Sequence, residues 1–286
     1  MIKKDVESVE TIKVDVPRKL SINTSFLMEK MLAPGLFGIM VIYLVILIFP
    51  ILSMIKFSGL QHLIEAFKNS DNISTVFLSI NTSLIALLFT FILGTPTAFF
   101  INGMTNKFIS KLLDIIVEMP VVLPPAVAGI ALLLTFGSNG VVGRFLVAHG
   151  INIIFTPVAV VIAQFFVSSA FYVRVLRDAV RGIPDEIFEA TYVMGAGKVE
   201  TIFRIVIPML KKSIISGLIL AWIRSMGEFG ATLMFAGNIL HKTSTIPLQI
   251  YTYMQTDVQT ATAFATVLYV LSFVMLILVR FTQKEN

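Results

Sequence analysis

The sequence predicts an all-α membrane protein: six transmembrane helices, a charged cytoplasmic loop of two short helices, and both termini in the cytoplasm. Three observations carry this reading. The 286 residues are 56% hydrophobic and only 14% charged, with a mean hydropathy of +0.89. Uncharged runs recur at the length a helix needs to cross a bilayer. Lys and Arg are segregated into alternate connecting segments. A soluble domain carries roughly a quarter of its residues charged, so a soluble enzyme and a disordered tail are excluded. The chain has no cysteine, which removes disulfides, thiolate metal sites and thiol catalysis. The net charge of +5 resembles that of a nucleic-acid binder, but the placement of the cations fits a membrane protein and no nucleic-acid partner is expected.

The first 33 residues are polar and form a cytoplasmic tail and interfacial segment. They are too long and too charged for the start of a cleaved signal, so the first span itself is expected to target the chain. The six-helix transmembrane body is then assigned to residues 34–280 and a short C-terminal tail to 281–286. Span 1 is the run from Met31 to Ile55. Span 2 is placed over about residues 76–101, with Gly94-Thr95-Pro96 as an expected kink near its end. Span 3 is shorter and proline-rich, from Met119-Pro120 through Pro124-Pro125 to Phe136. Span 4 runs from about Ile151 to Val173, span 5 from Ser213 to Ala236 and span 6 from Ala261 to Val279.

Six crossings put both termini on one side. The tail, the loops after spans 2 and 4 and the C-terminus carry 17 Lys and Arg, the other three loops four. The positive-inside rule therefore assigns the termini to the cytoplasm.

Side chains for chemistry are scarce. His62, His149 and His241 fall in outer loops with no second ligand at helical spacing, so no metal site is expected. Gly195-Ala196-Gly197-Lys198 resembles the end of a phosphate-binding loop, but Tyr192 stands where the first glycine belongs and Val199 replaces the magnesium-holding hydroxyl. Arg224 and Glu228 are read as the only ionisable residues well inside a span. Their i, i+4 spacing puts them on one helix face, as a structural lock or as part of an anion pathway. A single Glu makes no proton relay, which argues against a secondary transporter.

The loop from Arg174 to Lys212 differs from the rest, with seven basic and five acidic residues in 39 positions. Pro184 is expected at a first helical position, with Asp185 and Glu186 in the first turn; Gly195 and Gly197 stop that helix and Pro208 ends a second. Ile183, Ile187, Ala190 and Met194 are expected to share one face. Such a helix either lies on the membrane surface or docks a partner.

Glu189-Ala190-Thr191, three residues, Gly195, nine residues, Ile205, one residue, Ile207-Pro208 resembles the EAA…G…I-x-L-P signature of permease subunits of ATP-binding-cassette importers. Thr191 for the second alanine and Ile207 for leucine are its departures. The segment Pro120-Val121-Val122-Leu123-Pro124-Pro125-Ala126-Val127-Ala128-Gly129 is similar to the molybdate and sulfate permeases of that class. So are Gly227-Glu228-Phe229-Gly230-Ala231-Thr232, Ala236-Gly237-Asn238 and Lys242-Thr243. Together these matches cover about residues 75–280.

The resemblance implies a coupling helix that inserts into an ATPase subunit, with Pro184, Glu186, Glu189, Ala190, Thr191, Met194, Gly195 and Ala196 as coupling residues. It implies a homodimer with two ATPase subunits and an extracytoplasmic oxyanion-binding protein, embedded in membrane lipid. ATP and Mg would sit on the partner ATPase and no cofactor on this chain. The cargo would be a tetrahedral oxyanion, molybdate or tungstate first and sulfate next. Pro124, Pro125, Arg224, Glu228 and Gly230 are pathway or gate candidates, and broken helices are expected at Gly94, Pro96, Pro124, Pro125, Gly227 and Gly230.

Overall fold

The computed structural model describes residues 21–283, so the expected tail falls outside the described residues at 1–20, as does the C-terminal tail at 284–286. The described chain forms two units, divided between Ser53 and Met54. Helix α1 is Ser21–Ser58, with Pro34 and Pro50 inside it. The segment Pro34–Ser58 is apolar enough to cross a membrane, and the same helix also includes residues 21–33, the part assigned from the sequence to the tail and interfacial segment.

The second unit is built around α3 (Ser70–Asn102), α7 (Pro157–Arg181) and α11 (Lys211–Met226). A short helix, α2 (Leu60–Ala66), precedes α3. Asn69 caps α3 by accepting the Asp71 N–H at 2.9 Å. The buried face of α3 is small and polar, with Asn72, Thr75, Ser79, Thr82, Ser83 and Thr90. Several of these hydroxyls return to carbonyls one turn back, Ser79 to Thr75 and Thr82 to Leu78, each at 2.9 Å. Those two hydroxyls are thereby satisfied, whereas that of Thr90 has no partner among the described residues, and the small side chains let the helices approach closely.

Tyr172 of α7 fills the space this leaves. A Cβ at Gly94 would lie 2.9 Å from its ring, and one at Gly217 of α11 would lie 3.1 Å away. Its hydroxyl sits 2.7 Å from the Thr95 hydroxyl. Trp222 of α11 donates its indole N–H to Ser83 at 2.9 Å, fixing α11 against α3.

Two expected spans are broken. The third apolar stretch contributes α4 (Lys107–Val122) and α5 (Pro125–Phe136), bent by 112°. Pro124 and Pro125 cause the break: residues before proline avoid the helical region, and Leu123 is extended at φ −67, ψ 133. Helix α4 starts at Lys107, within what the sequence assigns to a loop, because a polar face interrupts its hydropathy. The fifth stretch contributes α11 and α12 (Gly230–Ala236), separated at Gly227-Glu228-Phe229. By contrast, α3 runs unbroken through Gly94 and Pro96, so the kink expected there does not interrupt the helix.

The fourth helix begins at Pro157, later than expected, and extends to Arg181, so the charged loop starts near Gly182 rather than Arg174. A short α6 (Gly143–Ala148) lies between α5 and α7. At the other end of the unit, α13 (Ile246–Tyr253) and α14 (Val258–Gln283) pack through Ile246 and Phe264 onto Trp222 and Met226.

Candidate functional site

The loop between α7 and α11 forms α8 (Asp185–Val193), α9 (Lys198–Thr201), a π-turn over Ile202–Val206 and α10 (Ile207–Met209). Pro184 is the N-cap rather than the first helical residue, and α8 opens with Asp185 and Glu186, where negative charge complements the helix dipole. The helix ends on Gly195, at φ +81, whose N–H bonds to Tyr192 O while the Ala196 N–H bonds to Thr191 O. This is a left-handed C-terminal turn, a conformation that favours glycine.

The side that faces inward differs from the expected one. Ile183 and Ile187 are half-buried, and Thr191 is the buried residue of α8 at 3% exposure. Ala190 and Met194, expected on the same face, are exposed together with Glu186 and Glu189. The departure of Thr191 from alanine has a local reason. Its hydroxyl donates to Phe188 O at 2.8 Å and accepts from Thr201 at 3.2 Å, which ties α8 to α9. Tyr192, Val193 and Met194 are 82%, 85% and 74% exposed, an apolar tip on the most charged loop of the chain. Pro208 lacks the N–H that would bond to Arg204 O. The π-turn precedes it, and the segment Val199–Met209 meets α11 at 69°.

The loop's root is held by an ion-pair network that hydropathy does not reveal. Arg177 of α7, 3% exposed, pairs with Asp114 of α4 through both carboxylate oxygens. Arg181 reaches the same carboxylate at 3.1 Å and donates to Asn102 Oδ1 of α3 at 3.1 Å, while Asn102 Nδ2 donates to Arg177 O. Arg177 lies inside an apolar spanning helix, so Arg224 and Glu228 are not the only ionisable residues in the spans. Its signal in the sequence is the spacing of Arg174, Arg177 and Arg181 on one helix and of Asp114 and Glu118 on another, the latter legible only once α4 is recognised as a helix.

Arg224 and Glu228 do pair, at 2.8 Å, but across the break rather than along one helix. Glu228, 1% exposed, also accepts the Ala231 N–H at 2.8 Å and so caps α12. The gate candidates meet here. A Cβ on Gly230 would lie 2.8 Å from Pro125 Cβ, and one on Gly129 would lie 2.7 Å from Ala231 O. Helices α5 and α12 thus cross backbone to backbone, each beginning at a break, above a core of Ala128, Leu132, Val160, Val167 and Phe235. Pro124 and Pro125 are exposed beside this crossing. Among the described residues, no three His, Asp or Glu converge on a metal position.

Comparison with known proteins agrees with this geometry. Residues 94–285 match the family described as the Binding-protein-dependent transport system inner membrane component. The chain is 68% identical to the probable transport system permease protein NifC of Clostridium pasteurianum, over 92% of this chain and 91% of that one. It is 40% identical to the molybdenum transport system permease protein ModB of Mycobacterium bovis, over 70% and 75% respectively. In fold it resembles a chain of the bacterial alginate ABC transporter in complex with an alginate-bound periplasmic protein, at a TM-score of 0.70 and 20% identity, covering 91% of this chain and 95% of that one. With its two broken spans and its charged helical loop, the chain belongs to the binding-protein-dependent permeases, as a multi-pass membrane subunit of an ABC importer of the oxyanion group.

Proposed function

We propose that this chain forms the transmembrane pathway of an ATP-driven importer for molybdate or tungstate, working as a homodimer with two ATPase subunits and an extracytoplasmic binding protein. Both termini and the coupling loop lie in the cytoplasm in this reading. The observation that carries it is α8: a short helix ended by Gly195 at φ +81, pinned at its root by Thr191 and Thr201, and presenting Tyr192, Val193 and Met194 outward beside Glu186 and Glu189. Such a tip fits an apolar groove on a partner.

The chain binds no cofactor and catalyses nothing; ATP and Mg belong to the ATPase. Closure of the ATPase dimer displaces α8. Displacement passes to α7, which the Arg177–Asp114 pair joins to α4. Through the joint at Pro124 it reaches α5, and through Gly129 and Gly230 it reaches α12. The gate lies where α5 and α12 begin, with Pro124, Pro125, Gly230 and the Arg224–Glu228 pair around it. A pathway with few fixed cations offers no deep trap for an anion, so selection falls to the binding protein.

Sulfate is the alternative cargo, because the sequence segments shared with molybdate permeases are shared with sulfate permeases too. Proteoliposomes holding this chain, its ATPase and its binding protein separate the two. Molybdate and tungstate are expected to stimulate ATPase activity and to accumulate inside. Stimulation by sulfate alone would reassign the cargo.

A further inference from the structure

At the end of the bundle that carries α8, the C-terminus of α3, the N-terminus of α4, the last turn of α7 and α8 itself enclose an open cavity of about 500 Å³. Lys107, Lys111 and Arg181 line it, with Asp185 as the one carboxylate among the lining residues. Arg181 is shared with Asp114, whereas Lys107 and Lys111 have no ion pair among the described residues. They are one helical turn apart on α4, whose first amides are already capped by the Asn106 side chain. The rest of the lining includes the apolar side chains of Phe99, Ile183 and Phe188.

The helix that supplies both lysines is amphipathic. Lys107, Lys111, Asp114 and Glu118 follow one face at helical spacing; Phe108, Leu112, Ile115 and Met119 follow the other. That second face is open, with Phe108 76% exposed, and α4 has no buried residue. An amphipathic helix with paired lysines and an uncovered apolar face belongs at the headgroup level of a bilayer. Paired cations in a cavity also lined by apolar side chains match an anion attached to a hydrocarbon chain better than a free anion, which would leave those side chains unused.

We infer that this cavity binds an anionic phospholipid, its phosphate on Lys107 and Lys111 and the start of an acyl chain against Phe99, Ile183 and Phe188. The site adjoins α8 and the Arg181 end of the ion-pair network, so a bound lipid stiffens the root of the coupling loop. The inference needs only that the chain is a membrane protein and does not depend on the cargo or the ATPase.

The test is native mass spectrometry of the purified full chain offered equimolar phosphatidylglycerol and phosphatidylcholine. The chain is expected to retain phosphatidylglycerol preferentially, and the Lys107→Gln/Lys111→Gln variant to lower that preference about 30-fold, as two lysines near an anionic headgroup imply. Both lysines are exposed, so the variant keeps its fold, and Lys56→Gln/Lys68→Gln serves as the control for general charge loss. Unchanged preference in the first variant, or an equal loss in the control, would overturn the inference. Glycerol phosphate and inorganic phosphate, which lack the acyl chain, are expected not to bind detectably. Binding of inorganic phosphate with no lipid adduct would assign the lysines to a free anion and overturn it as well.

Discussion

The guanidinium of Arg177 is buried against the carboxylate of Asp114, joining α7 to α4 at the point where α7 leads into the charged loop that carries α8. Arg181 shares that carboxylate from the last turn of α7, and Asn102 brings in the end of α3. Three helices therefore meet at one ionic joint, at the end of α7 that leads to α8.

The joint predicts an asymmetry between its partners. Asp114→Asn strands a buried arginine and is expected to cost about 3–5 kcal/mol. Arg177→Leu leaves Asp114 the half-exposed Arg181 and is expected to cost less. Unfolding midpoints in detergent measure both, and the double variant Asp114→Leu/Arg177→Leu is expected to recover much of the loss. Equal costs for the two single variants would show that Arg181 does not share the charge.

Gly195 is limited by its backbone and not by space, since a Cβ there would meet nothing within 4 Å. Gly195→Ala is therefore expected to cost about 1 kcal/mol through its left-handed φ alone, with Gly195→Asn milder. Limited proteolysis at the loop reads the loosening of the turn. Ala equal to wild type would mean that the turn relaxes to negative φ at no cost.

The crossing of α5 and α12 is limited by space. Gly129→Ala would place its methyl against the Ala231 backbone at 2.7 Å and Met234 Cβ at 2.7 Å, neither of which yields easily. A loss of about 1–3 kcal/mol is expected. Gly217→Ala, whose nearest atom is a Tyr172 ring carbon at 3.1 Å, is expected to lose less. Thermal midpoints of the two variants give the comparison.

For the pair across the break, Arg224→Ala strands a carboxylate that is 1% exposed and is expected to destabilise by about 3 kcal/mol. Arg224→Ala/Glu228→Gln removes the stranded charge while keeping an acceptor for the Ala231 N–H, and is expected to restore stability. Restored stability with altered anion selectivity in transport would place the pair in the pathway.

The apolar runs and the loop signature were legible because lipid exposure and a fixed glycine leave direct traces in sequence. Gly195 could be placed at the turn since few other residues adopt its φ. Helix α4 could not: Lys107, Lys111, Asp114 and Glu118 break its hydropathy, and only the three-dimensional pairing with α7 shows that two of these charges face protein. Arg177 falls in the expected loop for the same reason, because hydropathy charges every arginine the full cost of burial and cannot see the carboxylate that offsets it. The inward turn of Thr191 depends on Thr201 ten residues on, a tertiary contact with no local pattern.

The central claim is that motion of α8 drives transport, and reconstituted uptake tests it most directly. In proteoliposomes carrying this chain, the ATPase and the binding protein, ATP-dependent molybdate accumulation is expected for the natural sequence. Gly195→Asp and Ala190→Glu are expected to abolish both accumulation and molybdate-stimulated ATPase activity, with the protein still inserted. Uptake that continued at the natural rate with those variants, or with the ATPase subunit absent, would contradict the account.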